Sequence, residues 1–153
     1  MLKEKYSNMS FECSKIINSQ RVLPWFYAQI YPHISDVAIE HGYALSVHGS
    51  MRRDFDLIAV PWVEEASDTL TLVEAIRKKC NGYIDNKSDY PARKPHGRWA
   101  WVIHLGGGCY IDLSVLPRYK EGKPINWEEE KKSYGKECEQ NTINTSRDVG
   151  GVV

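Results

Sequence analysis

The chain has 153 residues, 42% of them hydrophobic, which suits one globular domain with a real core. Twenty Lys and Arg balance twenty Asp and Glu, so net charge gives no argument for nucleic acid or for a membrane surface. No apolar run is long enough to span a bilayer, and the opening MLKEKYSNMSFECSKIINSQ lacks the apolar centre of a signal peptide; the expectation is a cytoplasmic protein with no membrane partner.

Residues 1–21 are mostly polar, with a weak rhythm in Phe11, Ile16 and Ile17, and read either as a short helix or as a loose arm. The main domain is expected over 22–134. Pro24 suits a helix start, and Phe26, Ile30, Ile34 and Val37 recur at threes and fours, with Ile39 off the stripe. This predicts a helix from Pro24 to His41 with Gly42 as its stop. Pro32 inside it predicts a kink or two short helices. Tyr43, Leu45 and Val47 alternate with Ala44, Ser46 and His48, a strand pattern. Gly49-Ser50 breaks the run as a turn would, the run from Asp54 to Val60 resumes it, and Pro61-Trp62 ends it. Thr69 is the expected N-cap of a helix over Leu70 to Cys80, with Leu72, Val73, Ile76 and Cys80 on one face.

Asn81-Gly82 is a stop signal. Residues 83–97 read as a loop, with a short strand at Tyr83-Ile84 as an option and a basic cluster in Arg93, Lys94, His96 and Arg98. Trp99 to Leu105, Gly106-Gly107-Gly108 and Cys109 to Leu116 read as strand, tight turn and returning strand. Arg118 to Pro124 reads as a charged loop. Asn126 is placed to cap a helix from Trp127 to Tyr134, whose early Glu and later Lys residues match the helix dipole. Residues 135–153 are polar and glycine-bearing and read as a mobile tail. The four cysteines, Cys13, Cys80, Cys109 and Cys138, are far apart with no Cys-x-x-Cys pair, which fits free thiols better than zinc.

The chemistry-bearing residues lie in two of these strands. Residues two apart in a strand face the same side, so Asp54 and Asp56 point together. Two such carboxylates stay ionised most easily when they face water or hold a cation between them, and hard divalent cations take oxygen ligands. Asp112 is an acid inside an otherwise apolar strand, where it needs a partner, a metal or solvent. Each has a plainer alternative: a solvated strand edge for Asp54 and Asp56, an Arg partner for Asp112, solvent for Arg52 and Arg53. His48 and His104 lack a paired metal-ligand spacing and read as structural or surface residues. Trp62, Trp99, Trp101, Tyr43 and Tyr110 fit packing as well as base stacking.

Taken together, Gly49-Ser50, the Asp54-Phe55-Asp56 strand and the later strand with Asp112 resemble the nucleotidyltransferase superfamily whose type member is DNA polymerase beta. The resemblance covers roughly residues 24 to 117. It implies an α/β (α+β) fold, a mixed sheet with helices mainly on one face. It also implies Mg²⁺ (or Mn²⁺) and transfer of a nucleotide from a nucleoside triphosphate. On that pattern Asp54, Asp56 and Asp112 form the metal and catalytic set, Asp112 helping to activate the attacking hydroxyl, and Gly49 and Ser50 hold the triphosphate with help from Arg52 and Arg53. The acceptor is not implied: RNA, a protein or a small molecule would all serve. The chain departs from the family in its spacer, since only Met51, Arg52 and Arg53 separate Ser50 from Asp54. That shortening, with no separate helical acceptor domain expected, keeps two other readings open: a nucleotide- or protein-binding module that has lost the chemistry, and phosphate-ester hydrolysis at the same acids.

Overall fold

Alternation sorts the long strands into two sides. The structure, a computed structural model, describes residues 24–84 and 91–133. In strand β2 (Phe55–Pro61), Phe55, Leu57 and Ala59 are fully buried while Asp56, Ile58 and Val60 are half-buried. Strand β5 (Cys109–Val115) repeats the pattern with Ile111, Leu113 and Val115 buried and Asp112 half-buried. Its exception is Ser114, buried and taking a 3.2 Å hydrogen bond from Arg98. Strand β1 (Tyr43–Val47) alternates in the same sense, and strand β4 (Trp99–Gly106) does so over Trp101, Val102 and Ile103, with Ala100, opposite Ser114, buried as well.

With the two-residue strand β3 (Ala92–Arg93), these form one five-stranded sheet in the order β1-β2-β5-β4-β3. Only the central pair, β2 and β5, is parallel; every other neighbour is antiparallel. The sheet is therefore mixed, as expected.

The helices lie on one side of it. Helix α1 (Pro24–Glu40) contributes Tyr27, Ile34 and Ala38 to the core, and helix α2 (Thr69–Lys79) contributes Leu72, Val73 and Ile76, all packed with the buried strand residues. Helix α3, over 127–133, sets Trp127 against Trp99 and Trp101, with ring centroids 5.3 and 6.0 Å away. Truncating a fully buried ring here, such as Phe55, should cost about 3–5 kcal/mol. Among the described residues the opposite face, which carries Asp56 and Asp112, has no helix over it. None of the described helices is long and apolar enough to cross a membrane.

Several local expectations need correction. Of the two outcomes expected at Pro32, two short helices are not found: α1 is one helix of 17 residues. Anchors on both sides of the proline hold it. Tyr27 and Tyr31 donate to the backbone carbonyls of Arg53 (3.0 Å) and Leu45 (2.7 Å), and Ile34 and Ala38 are buried beyond it. The cap of α2 is Asp68, one residue before the expected Thr69. Its carboxylate accepts from the Thr71 backbone N–H (3.0 Å) and hydroxyl (2.7 Å), a stronger cap than a hydroxyl supplies. Over 83–97 the bridge of Tyr83 to His104 fits the short strand offered at Tyr83-Ile84, while β3, which pairs with β4, stands where a loop is expected. Arg118 to Pro124 forms a small ribbon of β6 (Tyr119–Lys120) and β7 (Lys123–Pro124), closed by Glu121 and Gly122, both with positive φ, as a type I′ turn requires.

The Gly42 stop and the Gly106–Gly108 hairpin are as expected. So is the Asn126 cap: its side chain accepts from Glu129 N–H (3.1 Å), and the Glu129 carboxylate takes a longer bond from Asn126 N–H (3.4 Å), a capping box. Cys80 and Cys109 are free thiols, each pushed up in pKa by burial, Cys80 to about 11. Cys13, Cys138, the arm over 1–21 and the tail over 135–153 lie outside the described residues.

The last helix is tied in by charge. Glu130 is buried, pairs with Arg118 (3.1 Å), and accepts the backbone N–H of Thr69 (2.8 Å). It thus satisfies one of the orphan donors at the start of α2, 61 residues away in sequence. Arg118 also donates to the Ala66 carbonyl (2.9 Å).

Candidate active site

The parallel register brings the acids together. Asp56 in β2 lies directly opposite Asp112 in β5, and alternation turns both to the face that bears no helix among the described residues. Asp54 sits one residue before β2, half-buried, with 19% of its side chain exposed. Its nearness is felt: burial, then the Asp54 charge, pushes the Asp56 pKa up, and Asp112 adds to this. His48, ahead of Asp112, and Arg53, behind it, pull the other way without reversing the shift. Three oxygen-donor groups thus share one face, and for the middle one burial and the neighbouring carboxylates outweigh the positive charge of His48 and Arg53. That donor chemistry fits a hard divalent cation. As the side chains stand, no three His, Cys, Asp or Glu groups among the described residues are gathered closely enough to hold a metal ion.

The loop from Gly49 to Asp54 closes over this pair. Gly49 has φ of +84°, and a Cβ there would lie 2.2 Å from Asp56 Oδ2. Only glycine lets the backbone approach the carboxylate so closely. Met51, in the same loop, also has positive φ (+53°), an unusual conformation for a non-glycine residue and one that clusters at functional sites. The loop is held from both ends: His48 N–H donates to the Asp56 carbonyl (3.0 Å), and Tyr27 O–H donates to the Arg53 carbonyl. The Tyr27 hydroxyl stays neutral for that role, since burial pushes its pKa up to about 12.

The other expected residues are less committed. Ser50, Arg52 and Arg53 are exposed. Arg53 Nη2 contacts Asp54 Oδ2 at 3.3 Å, but its own side chain is 74% exposed, so the pair contributes little to stability and leaves the guanidinium within reach of a ligand. No helix starts in the spacer, so there is no helix N-terminus to receive phosphate as in other phosphate loops.

Two residues join the site that sequence reasoning had set aside. Tyr110 O–H donates to Asp54 Oδ2 at 3.4 Å, and His104 lies opposite Tyr110 across the β4–β5 hairpin. The signal was the alternation of β4: Trp99, Trp101 and Ile103 take the core side, so His104 takes the side of the acids. Lys94 and His96 are exposed and Arg98 turns to Ser114; none makes a contact with the acids.

Two concavities among the described residues lie at the other end of β2, on either side of the exposed Trp62. One, of about 620 Å³, is lined by Pro61, Glu64, Arg118 and Lys120; the second, of about 450 Å³, runs between α1 and β1. Pockets are the usual first guess for a site. Here, however, Arg118 is already committed to Glu130 and Ala66, and no set of acids converges on either. Asp54, Asp56 and Asp112 lie away from both, on the other side of the sheet from the described helices.

Compared with protein-family models, curated proteins and solved structures, the chain finds no match.

Proposed function

We propose that the chain is a divalent-metal-dependent nucleotidyltransferase with a nucleotidyltransferase-like fold, moving a nucleotide from a nucleoside triphosphate to a hydroxyl acceptor. The observation that carries this reading is the register pair Asp56–Asp112, flanked by Asp54, on the face that bears no helix among the described residues, beside a loop in which Gly49 packs closely on Asp56. A sheet that only needed solubility would gain nothing from placing two acids opposite each other on its central strands, where like charges destabilise.

In this reading Asp54, Asp56 and Asp112 would hold Mg²⁺ or Mn²⁺. When bound, the metal would neutralise the phosphates and stabilise the attacking and leaving oxygens. Gly49 and Ser50 would present backbone to the triphosphate, while Arg52 and Arg53 would place positive charge on its oxygens. Asp112 would accept the proton of the acceptor hydroxyl. The acceptor is RNA, a protein or a small molecule.

The test is label transfer. Incubated with Mn²⁺ and each α-labelled nucleoside triphosphate, the protein should release pyrophosphate and label itself, an RNA or a small hydroxyl compound. Asp56→Asn should abolish this while keeping its circular dichroism. Full activity in that variant would sink the assignment.

A second reading has its own observation: Asp54 is already engaged by Arg53 and Tyr110, and no closed ligand set stands ready among the described residues. That would suit a module that binds a nucleotide or a protein without turnover. Nucleotide binding that survives Asp54→Ala and Asp56→Ala, with no product, would favour it.

A further inference from the structure

One row of the open face is aromatic. Tyr83 and His104 exchange backbone hydrogen bonds of 2.9 and 2.8 Å, which sets their side chains on the same side of the sheet. Their rings stack, with centroids 4.9 Å apart and planes 20° from parallel. His104 in turn faces Tyr110, with centroids 6.2 Å apart. Tyr110 then reaches Asp54 through its hydroxyl. The row therefore runs without a break from the outer side of β4 to the acids.

Its outer member is not buried. Tyr83 is 58% exposed, although the neighbouring Ile103 is fully buried on the other face. A cross-strand aromatic pair can serve merely to steady a sheet. That role does not call for a half-exposed ring stacked in line with a carboxylate site. An exposed ring stacked on its neighbour, beside the acids proposed to hold phosphates and metal, is what a nucleobase requires, because every base has a π-face to lay on such a ring.

We propose that the Tyr83–His104 stack is the base platform of the donor nucleotide, taking the base of a purine nucleoside triphosphate whose phosphates lie toward Asp54, Asp56 and Asp112. This rests on the transferase reading of the acids and adds the substrate class. Purines are favoured because their larger π-surface stacks more strongly. Tyr110 spans the two halves of the site, with its ring beside His104 and its hydroxyl on Asp54.

The test separates base from phosphate. Binding of ATP, UTP and inorganic tripolyphosphate, each with Mn²⁺, is measured on the full chain and on Tyr83→Ala, His104→Ala and Tyr83→Trp, with melting curves to check folding. Loss of one stacking partner should weaken ATP by about 10-fold and UTP by less, and should leave tripolyphosphate unchanged. Tyr83→Trp, which keeps a flat ring, should bind ATP as well as the native protein or better. ATP affinity unchanged in Tyr83→Ala would overturn the platform while leaving the transferase reading intact, and so would equal losses of ATP and tripolyphosphate. Should the native protein bind neither ATP nor tripolyphosphate with Mn²⁺, the transferase reading itself fails, and the platform with it.

Discussion

Asp56 and Asp112 stand directly opposite one another on the only parallel strand pair of the sheet. With Asp54 beside them, the ionised form of Asp56 is disfavoured in the folded protein, first by burial and then by the neighbouring charges. The sign follows from linkage. A carboxyl whose folded pKa is raised stabilises the fold below its unfolded pKa, about 3.9, and that contribution is lost as pH rises through the folded value. At pH 7 the ionised Asp56 therefore destabilises the metal-free protein. Asp56→Asn should raise the melting temperature at pH 7 by a few degrees, and the gain should shrink as pH falls toward about 4. Mn²⁺ should stabilise the native protein and not the variant, since a ligand stabilises only the state that binds it. A variant that melts below the native protein at pH 7 would show that Asp56 is held by a partner instead.

Gly49 gives the second prediction. A methyl group there would meet Asp56 Oδ2 at 2.2 Å, in a backbone conformation with φ of +84°. Gly49→Ala should cost about 1–3 kcal/mol and should weaken Mn²⁺ binding, because the displaced group is a proposed ligand. The control is Gly107→Ala, at φ of +60° with open space around the new methyl. It should share the backbone penalty and leave Mn²⁺ affinity unchanged. Equal metal affinity in both variants would remove Gly49 from the site.

Much of this was open to a reader of the sequence, and the remainder was hidden for identifiable reasons. The strands around Leu45, Leu57 and Leu113 were legible because each is long enough to show alternation, and Gly49, Asp54 and Asp56 because they adjoin one another in the chain. The Asp56–Asp112 pairing was not: nothing local states that these strands are parallel neighbours in that register. The two-residue strands of Ala92 and Lys123 carry no period to detect. The Asp68 cap was mistaken for Thr69 because both residue types cap helices and only the φ/ψ of the boundary decides. The Tyr83–His104–Tyr110 row depends on a bridge at Tyr83, where the sequence offers a short strand but does not name the strand it pairs with.

The Arg118–Glu130 pair carries the third prediction. Glu130 is 1% exposed and also accepts the Thr69 N–H. Removing one partner strands a buried charge, so Arg118→Ala should destabilise by about 3–5 kcal/mol. Arg118→Met with Glu130→Gln, which keeps volume and leaves an acceptor for Thr69, should recover a large part of that loss. Urea melts of the single and double variants measure it; no recovery would mean that the backbone bond of Arg118 to Ala66, and not the charge pair, does the anchoring.

The fourth concerns Asp68, fully buried and bonded twice to Thr71. Asp68→Ala should cost about 1–2 kcal/mol, while Asp68→Asn, which keeps an acceptor for the Thr71 N–H, should cost less. A thermal melt of the two side by side distinguishes cap loss from loss of charge; equal destabilisation would assign the effect to the charge.

The long reach of the β2–β5 pairing also sets an order of assembly. The β4–β5 hairpin closes through the short Gly107-Gly108 turn, whereas β2 must find β5 across more than fifty residues, and contacts so distant in sequence are slow to form. The acids meet only at that late docking step, and Thr69 gains its distant acceptor only once residue 130 has been synthesised. A chain emerging from the ribosome therefore has no meeting of its acids until its architecture is nearly complete. In a refolding experiment, Mn²⁺ affinity should appear with the last kinetic phase, which makes the proposed centre an internal reporter of the finished fold.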